Sequence, residues 1–210
     1  MAKETGNEKK FLIVIGILAG LLIAIMAMVS LSHPKPYFNV DGITVTPMPL
    51  EGTNRTYYSF PISFVIGSTL YNEGMLVKVD PRKLENVTVS VNRQYFLSRE
   101  PIVILFDPEA PPRIVESMYE IKRVGRILNM QLGMAITHES NESENRNVSV
   151  LNCNDTLDGM RILYLNGNAT ETRVYEDGCI KIEAPGYDEL EKATDAFIWQ
   201  WMLAIKVDNK

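Results

Sequence analysis

Two cysteines, two histidines and one acidic pair are the residues of this chain whose types could carry chemistry. Cys153 and Cys179 lie far from Cys-x-x-Cys spacing, and neither has a cluster of cations beside it to hold a thiolate. An even cysteine count in an oxidising compartment reads as a structural disulfide, with a free buried pair as the competing reading. His33 and His138 are too few for a histidine-based metal cluster or a Ser-His-Asp set. Asp107 and Glu109 precede a helical pattern, where carboxylates favour the positive end of the helix dipole more readily than they serve as general acid and base. The net charge is -5, and the absence of a basic block beyond residue 35 excludes a nucleic-acid footprint. No Gly-rich phosphate loop occurs, and no cofactor or metal is expected from this inventory.

Chemistry done to the chain is better marked than chemistry done by it. Asn-x-Ser/Thr without a central proline occurs at Asn54, Asn86, Asn141, Asn147, Asn154 and Asn168. Fifteen Asn would give roughly one or two such triplets by chance, so six is an excess that predicts N-glycosylation. A polar, Asn-rich surface is the alternative reading.

The elements that must position these residues follow from periodicity. From Phe11 to Ser32 there is no charged residue, and that length of helix spans about 33 Å, which predicts a transmembrane helix over 11–32; a cleaved signal peptide is the competing reading. Lys3, Lys9 and Lys10 precede it, so residues 1–10 are expected as a cytoplasmic tail and the remainder outside. His33-Pro34-Lys35-Pro36 is a stiff spacer. Residues 37–100 read as a β-rich extracytoplasmic segment, with alternation at Ile43 and Val45, a β-branched and aromatic run from Tyr57 to Ile66, and Val87, Val89 and Val91.

Beyond residue 100 the character changes. Ile102 to Phe106 is a wholly apolar run, expected as a central strand buried on both faces. A helix follows, with Ile114, Met118, Ile121, Val124 or Gly125, Leu128 and Leu132 on one face and a stop at Gly133. Met134 to Thr137 returns as a strand, Arg161 to Leu165 and Cys179 to Glu183 are further strands, and Asp177-Gly178 makes a hairpin turn. Asp188 and Glu191 cap a last helix whose stripe is Leu190, Ala193, Phe197, Ile198, Trp201 and Ile205, a period that cannot bury both Trp199 and Trp201.

The order strand, helix, strand, hairpin, helix over 101–206 resembles the thioredoxin fold. Asp107, Pro108 and Pro111 occupy matching positions of the Asp-Pro-x-Cys-Pro-x-Cys segment in which such proteins enter their first helix. Ala110 and Arg113 stand where the two cysteines would be. The resemblance therefore implies a redox-inactive member that keeps Asp107, Pro108, Ala110, Pro111 and Arg113 as a binding surface, since a thiolate is needed to attack and a second thiol to resolve.

The expected architecture is thus α/β: an N-terminal transmembrane helix, a β-rich segment, then a thioredoxin-like β-α-β-β-β-α domain. The expected role is a non-catalytic glycoprotein subunit of a membrane complex that binds protein or peptide, by analogy with the thioredoxin-like subunit of oligosaccharyltransferase. Competing readings are a structural cell-envelope glycoprotein and a thiol-disulfide oxidoreductase using Cys153 and Cys179. A single-pass location is expected, at an archaeal plasma membrane in preference to the membrane of the endoplasmic reticulum.

Overall fold

The computed structural model describes residues 15–26, 37–139, 148–155 and 157–207. Residues 15–26 are α-helical (α1) and solvent-exposed. The expected span over 11–32 is corrected here: among the described residues no helix is long and apolar enough to cross a membrane. A helix over 15–26 reaches only about 18 Å, against about 30 Å of bilayer core. The tail 1–10, the spacer 33–36 and the two ends of the expected span lie outside the described residues.

Residues 39–210 make one compact unit. It opens with strands β1 (Phe38–Val40), β2 (Ile43–Pro49), β3 (Thr56–Ile66) and β4 (Thr69–Val77), which form an antiparallel meander in that order. Alternation in β3 sends Phe60, Ile62 and Phe64 to one buried face, joined by Val45, Met75 and Val77. Pro61 lies beyond the last β2 partner, Ser59, so its missing N–H falls where β3 is flanked by β4 alone. A 3-10 helix, Pro81–Asn86, follows, capped by the Asp80 side chain accepting from Arg82 N.

The second sheet has six strands: β5 (Thr88–Ser90), β6 (Ile102–Phe106), β7 (Leu132–Ile136), β8 (Arg161–Asn166), β9 (Asn168–Asp177) and β10 (Cys179–Pro185), in spatial order β5-β9-β10-β8-β6-β7. β7, β6, β8 and β10 are mutually parallel, while β9 is antiparallel to β10. The expectation for Ile102 to Phe106 is met: Ile102 to Leu105 are all buried, as a strand with parallel neighbours on both sides requires.

Three helices complete the unit: α2 (Arg93–Leu97), α3 (Ile114–Ile127) and α4 (Tyr187–Ile205). α3 and α4 pack on each other and so share one face of the six-stranded sheet, with α4 lying on β10 and β9. On its other side α4 meets β3 and β4. The helix is thus sandwiched between two sheets, which corrects the expectation for the tryptophans. Trp199 packs edge-on against Phe60, with ring centroids 4.9 Å apart, and donates to Asp41 Oδ2 at 3.0 Å. Trp201 turns the other way and donates to the Phe96 carbonyl at 3.1 Å. Both are buried because α4 has two apolar faces to satisfy.

This arrangement also replaces the expected fold class. Instead of a β-rich segment followed by a separate thioredoxin-like domain, two sheets share one helical layer. β5, from the expected first segment, joins β9 of the second sheet, and the four-stranded meander buries its aromatic face under α4. The strand that follows the β6-α3-β7 unit, β8, enters parallel beside β6.

Two helix ends differ from expectation. α3 stops at Ile127, where Asn129 adopts φ +54°, Met130 N donates to Gly125 O at 2.8 Å and Asn129 N to Arg126 O at 3.0 Å. This is a Schellman closure with Asn in the left-handed position. Leu132 and Gly133 therefore belong to β7. Its approach is close: a Cβ on Gly125 would lie 2.4 Å from Leu132 Cδ1. α4 begins at Tyr187 with Gly186 at the cap position and so has no side-chain cap; Asp188 lies one residue inside the helix, where its carboxylate bonds Arg113.

The sheet face opposite the helices is covered by chain held by a disulfide. Leu151, Cys153 and Leu157 pack on Val103, Leu105, Ala135, Ile162 and Cys179. Cys153 and Cys179 are bonded, with Cα atoms 5.1 Å apart.

Candidate functional site

In parallel sheets, ligand sites form where the strands end at their carboxyl edge. β6 ends there in Phe106, and its continuation is the segment singled out by sequence. Asp107 Oδ1 accepts from Glu109 N at 2.8 Å and the Asp107 carbonyl from Ala110 N at 3.0 Å, a tight turn after which the Pro108, Pro111 and Pro112 rings restrict the chain until α3 begins. Arg113 Nη1 contacts Asp188 Oδ1 at 2.6 Å, tying the first turn of α3 to that of α4. The side chains of Arg113 and Asp188 are 63% and 88% exposed, so the pair aligns the two helix starts more than it stabilises them.

β7 delivers a third group to this rim. Thr137 N donates to Phe106 O at 3.0 Å, and the next residue, His138, places Nε2 3.9 Å from both Asp107 Oδ1 and Glu109 Oε1. These are ion-pair distances beyond hydrogen-bond range. Among the described residues no group of three or more His, Cys, Asp or Glu could hold a metal.

A fourth contribution comes from the crossover between β8 and β9. Those strands flank β10, so the chain passes over the end of β10 through the single residue Gly167. A Cβ there would meet the Tyr187 ring at 2.8 Å, and Gly186 N donates to Gly167 O at 2.8 Å. Burial, reinforced by the Asp107 charge, raises the Tyr187 and Tyr164 phenol pKa values, with Glu183 adding to the shift at Tyr164.

The rim therefore gathers Asp107, Glu109, Ala110, Arg113, His138, Tyr187 and Asp188. It offers exposed charges, two helix N-termini and a phenol ring, and Ala110 brings no nucleophile to it. The bonded cysteines lie at the other edge: Cys179 begins β10 and Pro185 ends it, a separation of about 20 Å along the strand. Asn54, Asn86, Asn154 and Asn168 are all exposed. Asn168 starts β9 at the rim, and Asn154 is next to the disulfide. Asn141 and Asn147 lie outside the described residues.

One group that periodicity did not single out is Asp195, in the middle of α4. Its carboxylate is buried and accepts from Lys78 N at 2.8 Å and Val79 N at 2.7 Å, closing the end of β4 onto the helix. Burial pushes its pKa up to about 7; the two amide bonds lower it, and the nearby Glu120 and Glu191 raise it. Lys78 Nζ bonds Glu116 at 2.9 Å and lies 3.4 Å from Glu191. Burial disfavours that ammonium, but these carboxylates leave its pKa raised. An Asp in an apolar stripe is a polar exception, and that was the available signal.

No protein-family model, curated protein or solved structure matches the chain.

Proposed function

We propose that this chain is a non-catalytic, N-glycosylated subunit of a larger assembly on the extracytoplasmic side of a membrane, where it binds protein or peptide. The observation that carries the reading is the division of the molecule's two edges. The strand-end rim, where α/β proteins commonly do chemistry, holds Ala110 and an Arg113–Asp188 pair, whereas both sulfurs are joined at the opposite edge. A bond between the chain's two cysteines suits an oxidising compartment. The exposure of Asn54, Asn86, Asn154 and Asn168 suits glycan attachment.

The test is purification of the intact chain from its own membranes in mild detergent. A second polypeptide recovered in fixed stoichiometry, through washes that remove loosely held protein, is the expected result. Recovery of the chain alone would overturn the reading.

A further inference from the structure

Among the described residues two buried side-chain polar atoms lack a hydrogen bond, Tyr95 Oη and Arg161 Nε, and they belong to side chains in contact. The Arg161 guanidinium lies over the Tyr95 ring, 4.0 Å from its centroid. Its other nitrogens are spent on backbone: Nη1 donates to the Tyr95 carbonyl, and Nη2 to those of Ser98 and Glu100 at 3.2 Å. Nε lies 3.4 Å from Glu100 Oε2, an ion-pair contact without hydrogen-bond geometry. Burial raises the Tyr95 phenol pKa; Arg161 opposes the shift, while Glu176 and Glu100 add to it, so the hydroxyl stays protonated and able to donate. Orphaned buried polar atoms are rare in folded proteins, and two in contact mark a place that a further partner would complete.

Both residues line one cavity of about 470 Å³ at the disulfide edge of the six-stranded sheet, where β8 and β10 begin. That volume is in the range of small-molecule sites. Asp155 and Glu176 bring carboxylate acceptors to its lining, and Leu157, Ile162 and Ile180 bring apolar surface. Two carboxylates against the single cation Arg161 disfavour an anion. The complementary ligand has oxygen acceptors for Tyr95 and Arg161, hydroxyl donors for the carboxylates, and C–H faces for the aliphatic side chains. These are the surfaces of a sugar ring.

Asn154, one of the six sequon positions, lines the same cavity. It is exposed, and its Oδ1 lies against the turn into β10, where a Cβ on Gly178 would come within 3.0 Å of it. Thr156, which completes its triplet, lies outside the described residues.

We propose that the first sugars of a glycan on Asn154 fold back into this cavity and take Tyr95 and Glu176 as hydrogen-bond partners. This inference rests on the reading of the chain as N-glycosylated and names what one of its glycans does. A tethered sugar needs little intrinsic affinity, because attachment at the cavity wall holds it at an effective concentration of roughly millimolar. Both orphaned atoms are shut off from solvent, so a small turn of the Tyr95 ring accompanies entry of the sugar.

The test is a double-mutant cycle in urea denaturation on the full chain, purified with its glycans in mild detergent, with glycopeptide mass spectrometry to show which Asn are occupied. Tyr95→Phe should shift the unfolding equilibrium at least tenfold toward the unfolded state while Asn154 carries its glycan. With that glycan removed by Thr156→Ala, the same substitution deletes an unsatisfied hydroxyl and should be neutral or stabilising. Asn154→Gln should reproduce the Thr156→Ala result. Glu176→Gln should likewise cost at least threefold with the glycan present and nothing without it.

An unoccupied Asn154 overturns the proposal; glycan at other sequons would then leave the broader reading standing, and glycan at none would refute the glycoprotein reading as well. A Tyr95→Phe effect that is the same with and without the Asn154 glycan also overturns it, since packing or an untethered ligand would then account for the residue. If Tyr95→Phe fails to fold, the Glu176→Gln comparison decides by the same criterion.

Discussion

Replacing Asp195 tests the packing of α4 against β4 by two substitutions with different expected outcomes. Asp195→Ala leaves two buried backbone donors, Lys78 N and Val79 N, without an acceptor. At about 1 to 3 kcal/mol for each unsatisfied group, unfolding free energy should fall by about 2 to 6 kcal/mol. Asp195→Asn keeps an oxygen facing those amides and removes the titration. The sign follows from linkage. With a pKa of 3.8 when unfolded and about 7 when folded, the native state holds the proton more tightly. Stability from this group is therefore full at pH 4 and below, declines as pH rises, and is lost by pH 7, a span of about 4 kcal/mol at most. Urea denaturation of wild type and Asp195→Asn at pH 4.5, 6 and 8 reads this directly. The asparagine variant should gain on wild type by about 3 kcal/mol between pH 4.5 and pH 8. A difference that stays constant with pH would refute the assignment of a buried, raised carboxyl.

Other consequences are equally open to measurement. Cys153→Ser with Cys179→Ser opens a crosslink between positions 26 residues apart and should cost about 3.5 kcal/mol in denaturant unfolding on the chain-entropy account. The same double variant should match wild type in an insulin-reduction assay, and a loss of reductase activity would revive the oxidoreductase reading. Gly125→Ala forces Leu132 to move, and calorimetry should show a loss of about 1 to 3 kcal/mol, the usual cost of overpacking. Trp201→Ala empties a fully buried site between Phe96 and Phe197 and should cost about 3 to 5 kcal/mol, whereas Arg113→Ala, at an exposed pair, should change stability by less than about 1 kcal/mol.

Much of this architecture is written locally, and the failures are informative because they are not. Ile102 to Phe106, the hairpin turn at Asp177-Gly178, the helix after Pro112 and the bonded cysteines are legible because each depends on neighbours in sequence or on simple pairing arithmetic. The α3 terminus is missed because Asn129 supplies the left-handed residue ahead of Gly133, where glycine is the usual signal. The burial of Trp199 is missed because a period analysis allows one apolar stripe, while α4 sits between two sheets and needs two. Strand order is invisible to periodicity, so the entry of β8 parallel to β6 and the recruitment of β5 by β9 emerge only from pairing.

The candidate rim was partly legible. Asp107 to Arg113 lie between β6 and α3, where the apolar run and the helical period put them, but His138, Tyr187 and Asp188 join them through β7 and α4, contacts that no local spacing reveals. Asp195 is hidden for a similar reason, since its partners are backbone amides more than a hundred residues earlier.

The most direct trial of the central claim is to mix the purified chain with a labelled unfolded polypeptide that contains a disulfide, in the presence of reduced glutathione as electron donor, following anisotropy and thiol release above the uncatalysed rate together. Saturable, reversible binding with no thiol released above that rate is the predicted result. Absence of binding, or release of thiols with turnover, would contradict a non-catalytic polypeptide-binding role.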